Sequence, residues 1–227
     1  MMNRPKIAPL GDAAVLVVID TASDQAAMEK VWSACFAIRA ALERDVLDIV
    51  PAYGSVLVRF DPARVSMAVI IASIRGALER ETAVQRFRGR EHQVGVCFNS
   101  EFGLDLDAIA SELALSAEQL IEDFCGATYR VAFLGYTAGF PYLLGLPPRL
   151  RVKRLPTPRT QVPAGSVAIA MDQCGIYPRT TPGGWKILGR TAAEIFDPTR
   201  DEPARFRPGD TVRFVRAARL DETRTSA

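Results

Sequence analysis

Residues 139–191 carry Gly139-Phe140-Pro141-Tyr142, Pro158-Arg159, Val162-Pro163-Ala164-Gly165-Ser166, Gly175-Ile176-Tyr177-Pro178 and Thr181-Pro182-Gly183-Gly184-Trp185. Glycine permits positive φ and proline locks φ near about −65°, so each block sets a bend. An ordinary surface loop does not need so many of them interleaved with Tyr, Trp and Arg. The pattern predicts shaped loops around a concave surface, lined by aromatic faces and one or two cations. Between and beyond these blocks, residues 129–133, 166–170, 185–188 and 211–215 form short runs bounded by Gly, Pro and Asp. Such runs predict a mainly β domain, and a closed or nearly closed barrel would remove its exposed edges. Pro208-Gly209-Asp210 reads as the turn into the last run.

Upstream of Tyr129 the pattern changes to helix. Residues 105–113 and 116–124 predict two short helices, the second opened by a Ser116/Gln119 capping box. Nearer the N-terminus, residues 13–19 read as a buried strand. Met28, Val31, Trp32, Cys35, Ile38 and Leu42 then line one helix face at spacings of three and four. Strands follow at 46–50, ending at Pro51, and at 55–60. A second amphipathic helix carries Met67, Ile70, Ile71, Ile74 and Leu78, and residues 93–98 form a further strand. The order β-α-β-β-α-β is that of a ferredoxin-like split βαβ unit. The expected organisation is an α+β domain over 1–90, a mainly β barrel domain over 91–220 and a polar tail at 221–227. The boundary is soft: Arg80 to His92 is charged, and the strand at 93–98 suits either domain.

Composition narrows the function. Twenty-eight basic and twenty-six acidic residues are mixed along the chain, which gives no nucleic-acid footprint. The local excess at Arg149, Arg151, Lys153, Arg154 and Arg159 is either a solvated turn or a patch reading phosphate or carboxylate. No run reaches the roughly 18 apolar residues of a membrane span, and no signal peptide is expected. Cys35, Cys97, Cys125 and Cys174 are far apart with no C-x-x-C pair. They read as small core residues in a reducing cytoplasm, with Cys174 notable for its glycine-rich surroundings. His92 is the one histidine and reads as a surface linker residue. Common histidine triads and histidine-rich metal sites are thus disfavoured, and no metal is expected. Neither a Walker phosphate loop nor a dinucleotide fingerprint occurs.

The blocks quoted above, with Gln173, Gly189-Arg190-Thr191, Pro208-Gly209-Asp210, Gly11-Asp12, Val50-Pro51-Ala52-Tyr53, Phe60-Asp61-Pro62 and Phe102-Gly103-Leu104-Asp105-Leu106, follow one another in order along nearly the whole chain. In this they resemble the KipI / 5-oxoprolinase B-type subunit (PxpB) / allophanate hydrolase subunit 1 family. The resemblance implies a cyclophilin-like β-barrel in the second domain. It also implies one component of an ATP-dependent 5-oxoprolinase, which opens the lactam 5-oxo-L-proline to L-glutamate. Its partners would be a homologue of allophanate hydrolase subunit 2 and a LamB/YcsF-type homologue. ATP would act at the level of the complex. Two alternatives come with the resemblance: a KipI-like module that inhibits a histidine kinase through a peptide cleft, and a urea or allophanate carboxyltransferase component.

Phe140, Tyr142, Arg154, Arg159, Gln173, Tyr177, Gly183, Gly184 and Trp185 are the candidate substrate-binding residues; no catalytic residue is assigned. Tyr142, Tyr177 and Trp185 offer flat walls with polar handles, or core packing. Arg154 and Arg159 suit a carboxylate or phosphate, with a structural ion pair as the rival for Arg159. Gly183 and Gly184 are turn-makers first. The chain departs from the family pattern at Phe124, where relatives carry histidine, and at Ala138, Lys153, Met171 and Cys174. These departures are expected to cluster around the cleft.

Overall fold

The structure is a computed structural model that describes residues 5–20, 22, 24–80 and 89–224. It comprises two compact units, within residues 1–88 and 89–227. No helix of the described residues is long and apolar enough to cross a membrane.

The first unit contains β1 (Lys6–Pro9), β2 (Ala14–Val18), α1 (Gln25–Leu42), β3 (Val46–Ala52), β4 (Ser55–Phe60) and α2 (Met67–Arg80). Its strands form an antiparallel sheet in the order β1-β2-β4-β3. Asp24 caps α1 by accepting from the Ala27 N–H at 2.8 Å. Val15, Val17, Val56, Val58 and Phe60 alternate onto one buried sheet face. The two helices pack on each other and on the sheet, burying Met28, Val31, Ile38, Ile70 and Ile74. Pro51 does not end its strand: β3 continues to Ala52 because it lies at the sheet edge, where a missing N–H costs no ladder bond.

One strand assignment is corrected. The element order here is ββαββα, not βαββαβ, since the strand at 93–98 belongs to the other unit. The fourth strand is β1, a short edge segment whose Lys-Ile-Ala-Pro sequence carries no alternation to announce it. The strand expected at 93–98 is instead β5 (Glu91–Val96), which pairs in parallel with β13 (Thr211–Arg216). Val94 and Val96 are fully buried there, against the hydrophobic core of the second unit.

That unit also holds α3 (Leu106–Glu112), α4 (Ala117–Gly126), β6 (Tyr129–Leu134), β7 (Pro141–Leu144), β8 (Arg159–Val162), β9 (Ser166–Ala170), β10 (Gln173–Ile176), β11 (Thr181–Gly183) and β12 (Lys186–Arg190). The capping box at Ser116 and Gln119 is formed in both directions. Seven strands make one sheet in the order β12-β9-β10-β7-β6-β13-β5. Its two outer strands meet where Cys97 and Arg190 exchange hydrogen bonds of 2.8 and 3.0 Å, so the sheet is a nearly closed barrel. The interior joins Val131, Leu143, Val167, Ile169, Ile176 and Leu188 to Phe124 of α4 and Ile109 of α3. Phe124 stacks on Phe214 at 4.8 Å, and the Tyr129 hydroxyl donates to the Phe124 carbonyl at 3.0 Å.

Candidate functional site

Strand β9 is buried along its whole length because it has a core on each side. Val167 and Ile169 enter the barrel interior, while Ala168 and Ala170 join a second cluster on the opposite face. That cluster contains Phe140, Val162, Tyr177, Trp185 and Ile187, with Tyr142 packed against it. The β8–β11 pair supplies Val162. Gly175 allows the arrangement: a Cβ there would lie 2.5 Å from the Phe140 ring, so only glycine lets that ring rest on β10.

The rings meet edge to face. Phe140 lies 5.1 Å from Tyr142, 5.2 Å from Tyr177 and 5.5 Å from Trp185, and Tyr142 lies 5.7 Å from Trp185. These spacings are within the favourable range for aromatic pairs. Arg154 holds its guanidinium carbon 5.9 Å from the centre of the Trp185 ring, which places a cation on an otherwise apolar wall. Burial raises the pKa of Tyr142, and burial pushes Tyr177 up to about 12 despite a hydrogen bond from the Trp185 backbone. Both phenols therefore remain neutral O–H groups at physiological pH.

The other expected residues fall as follows. Gln173 is directly opposite Ala170, and opposed residues share a face, so it lies on the aromatic side of the sheet. Gly183 fits under the Tyr177 hydroxyl, and the Gly184 carbonyl accepts from the Leu155 N–H at 2.8 Å, consistent with shaping the turn. Arg159 faces Gly183 across the β8–β11 pair but is engaged elsewhere. Its guanidinium donates to both Asp105 carboxylate oxygens at 2.9 and 2.7 Å. Asp105, 8% exposed, also accepts from the Ile187 N–H at 2.7 Å, and its own N–H donates to the Ile187 carbonyl at 3.0 Å. The ion-pair reading of Arg159 is the geometry found. Arg154 is the cation at the ring cluster.

Sequence reasoning missed Tyr136. It takes a left-handed backbone, φ 62°, and is 59% exposed. Its ring lies 5.6 Å from Phe140 and 6.4 Å from Tyr177, and its hydroxyl donates to the Pro182 carbonyl. The loop Leu134–Gly139 that carries it borders an open cavity of about 360 Å³ beside the cluster. The flanking Gly135 and Gly139 were the available signal, since paired glycines mark a shaped loop.

The five departures do not gather at the cleft, contrary to expectation. Phe124 and Cys174 are in the barrel interior, on the far side of the sheet from the aromatic cluster. Lys153 and Met171 are exposed, Met171 bridging Val152. Ala138 alone lies on the Tyr136 loop.

Comparisons with known proteins agree with this geometry. The family described as carboxyltransferase domain, subdomain C and D, matches residues 5–206. The chain is 36% identical to the 5-oxoprolinase B-type subunit of Escherichia coli O157:H7, over 94% of this chain and 97% of that one. It is 32% identical to the protein of the same name from Bacillus subtilis, over 97% and 96%. Among solved structures, TTHA0988 superposes with a TM-score of 0.78 at 36% identity, over 90% of this chain but 40% of that protein's length. The urea carboxylase of Kluyveromyces lactis shares the fold, with a TM-score of 0.76 at 19% identity, over 96% of this chain and 22% of that enzyme.

Proposed function

This chain belongs to the carboxyltransferase-domain family and to its 5-oxoprolinase B-type members, and we propose that it is a non-autonomous component of an ATP-dependent 5-oxoprolinase. The observation that carries this reading is the match to three proteins of that name, at 32–36% identity over nearly their full length. The kinship with urea carboxylase, at 19% identity, extends to the fold alone. The histidine-kinase reading draws no support from Phe124, which is in the barrel core, so its apolar ring alters nothing at the cleft.

In this proposal the cyclophilin-like barrel presents the aromatic cluster as the lactam site. A five-membered lactam is flat and apolar on its faces and carries a carboxylate. Trp185 and Tyr142 offer the walls, and Arg154 is the cation nearest them. The neutral Tyr142 hydroxyl suits a ring carbonyl, while the Tyr136 hydroxyl, which donates to the Pro182 carbonyl, can accept from the lactam N–H. An amide is a poor electrophile until its oxygen is phosphorylated or polarised. ATP supplies that activation in the complex. This chain binds and orients the lactam, and ATP acts at the level of the complex with the LamB/YcsF-type homologue and the allophanate hydrolase subunit 2 homologue.

The 40% coverage of TTHA0988 supports a heteromeric assembly, because in that protein the same region is joined to a larger remainder. Cysteines that form no disulfide among the described residues support a cytoplasmic setting. The test is reconstitution of this chain with those two partners. Expected are glutamate release and 5-oxoproline-dependent ATP hydrolysis that vanish when this chain is omitted. Silence from the complete mixture overturns the proposal.

A further inference from the structure

A cavity larger than the one at the Tyr136 loop lies elsewhere in the second unit. It encloses about 590 Å³ between the start of β5 and the segment 194–205, a volume in the range of small-metabolite sites. Segment 194–205 is a folded flap. The Arg205 N–H donates to the Ile195 carbonyl at 2.9 Å, the Asp197 N–H to the Pro203 carbonyl at 2.8 Å, and Phe196 bridges Ala204. Phe196 in turn packs on Gly139, where a Cβ would stand 2.6 Å from it. The flap is thus held in place from both sides.

The charged groups of this cavity are unequally satisfied. Arg200 is bonded to Asp197 at 3.0 Å and to Glu194, and Arg90 faces Glu202 at 3.4 Å. Arg205 differs. It is half-buried, and its Nε is shut off from solvent with no hydrogen-bond partner among the described residues. Burial and the neighbouring Arg200 depress its pKa, and the Glu194 carboxylate opposes them only in part. Because Nε is enclosed, a carboxylate in the cavity would meet the terminal nitrogens of the guanidinium and supply a counter-charge there.

His92 supplies the second half of the site. It lies on β5, lines the cavity and meets Phe206 edge to face at 5.0 Å. Its Nε2 is 2.9 Å from an oxygen of Asp210, which is 1% exposed and also accepts from the Arg90 and Arg207 N–H groups at 2.8 Å. A carboxylate only accepts, so Nε2 carries the proton. Glu194, which also pairs with Arg200, adds a carboxylate to the same lining. The lining carries both signs of charge, Arg90, Arg200 and Arg205 with Glu91, Glu194, Asp197 and Glu202, which suits a ligand that carries both.

The geometry points to a second binding site here for a small free α-amino acid, its carboxylate on Arg205 and its ammonium toward His92 and Glu194. This site is separate from the aromatic cleft and does not rest on the reaction proposed above. Calorimetric titration of the full chain with L-glutamate, L-alanine and glutarate tests it. Expected is saturable one-to-one binding of the amino acids, with glutarate weaker by at least about tenfold because it lacks the ammonium. Arg205→Ala is expected to cost at least about tenfold, Arg205→Lys less, and the cleft variant Arg154→Ala nothing. Thermal unfolding checks that each variant is folded, and His92→Gln gives an independent loss if Arg205→Ala is not. Three results would each overturn the assignment: no saturable binding of either amino acid at millimolar concentration, glutarate binding as well as L-glutamate, or unchanged affinity in folded Arg205 and His92 variants.

Discussion

Two aromatic clusters lie back to back on one sheet, and they are built for different ends. Inside the barrel, Phe98, Phe124, Tyr129 and Phe214 are all buried, and the one hydroxyl among them is spent on the Phe124 carbonyl. Burial pushes the pKa of Tyr129 far up, which leaves it no titration within reach. On the outer face, Tyr136 is exposed, Tyr142 is half-buried, and Arg154 lies over Trp185. The outer cluster is itself largely packed, with Phe140, Tyr177 and Trp185 buried, and it reaches solvent through Tyr136 and Tyr142. What separates the two clusters is the covering layer: two helices seal the interior, while a two-stranded pair and one glycine-flanked loop leave the outer cluster partly open.

Phe124→Ala has the largest expected effect, about 3–5 kcal/mol of lost stability by denaturant unfolding, with cleft ligand affinity unchanged. A cleft defect at full stability would put Phe124 on the wrong side of the comparison. Asp105→Ala removes the acceptor of Arg159 and of the Ile187 N–H, an expected loss of about 2–3 kcal/mol. Gly175→Ala drives a methyl into the Phe140 ring and costs about 1–3 kcal/mol. It is expected to disturb near-ultraviolet dichroism of the outer rings while sparing the interior.

Acid sharpens the view of the β5–β13 region. Burial pushes the Asp210 carboxyl up, but hydrogen bonds from His92 and from the Arg207 and Arg90 backbones outweigh it and hold it below the ordinary 3.8. A carboxyl with a depressed folded pKa stabilises the fold above the unfolded value and loses that contribution as pH falls through the folded one. Stability that depends on Asp210 is therefore expected to persist above about pH 4 and fade below it. In Asp210→Asn that acid-side slope should be shallower. Arg154→Ala has the smallest effect on stability, within about 0.5 kcal/mol, because the side chain is exposed. In the reconstituted assembly it should raise KM for the lactam with little change in kcat.

The sequence was most legible where local rules bind tightly. Both long helices, the capping box at Ser116 and the runs at 166–170 and 211–215 lie where periodicity and turn residues placed them. Pairing was not legible for β5, because Val94 and Val96 suit any buried sheet and its partner β13 lies more than a hundred residues away. At the cleft, the glycine and proline blocks correctly announced bends around Phe140, Tyr177 and Trp185. They could not show that Asp105 takes Arg159, since that pair spans 54 positions. Nor could they lift His92 out of its charged surroundings, because the bond that fixes it comes from Asp210, 118 positions on.

The pair of hydrogen bonds between Asp105 and Ile187 has a consequence beyond the domain it belongs to. β12 is the last strand on its side of the sheet, and Asp105 occupies both polar groups of Ile187 that would otherwise face outward. A loop residue thereby impersonates a neighbouring strand. Stripped of it, Ile187 would offer a foreign chain a docking template, so injury at Asp105 should surface as concentration-dependent clumping before any loss of helix or barrel signal.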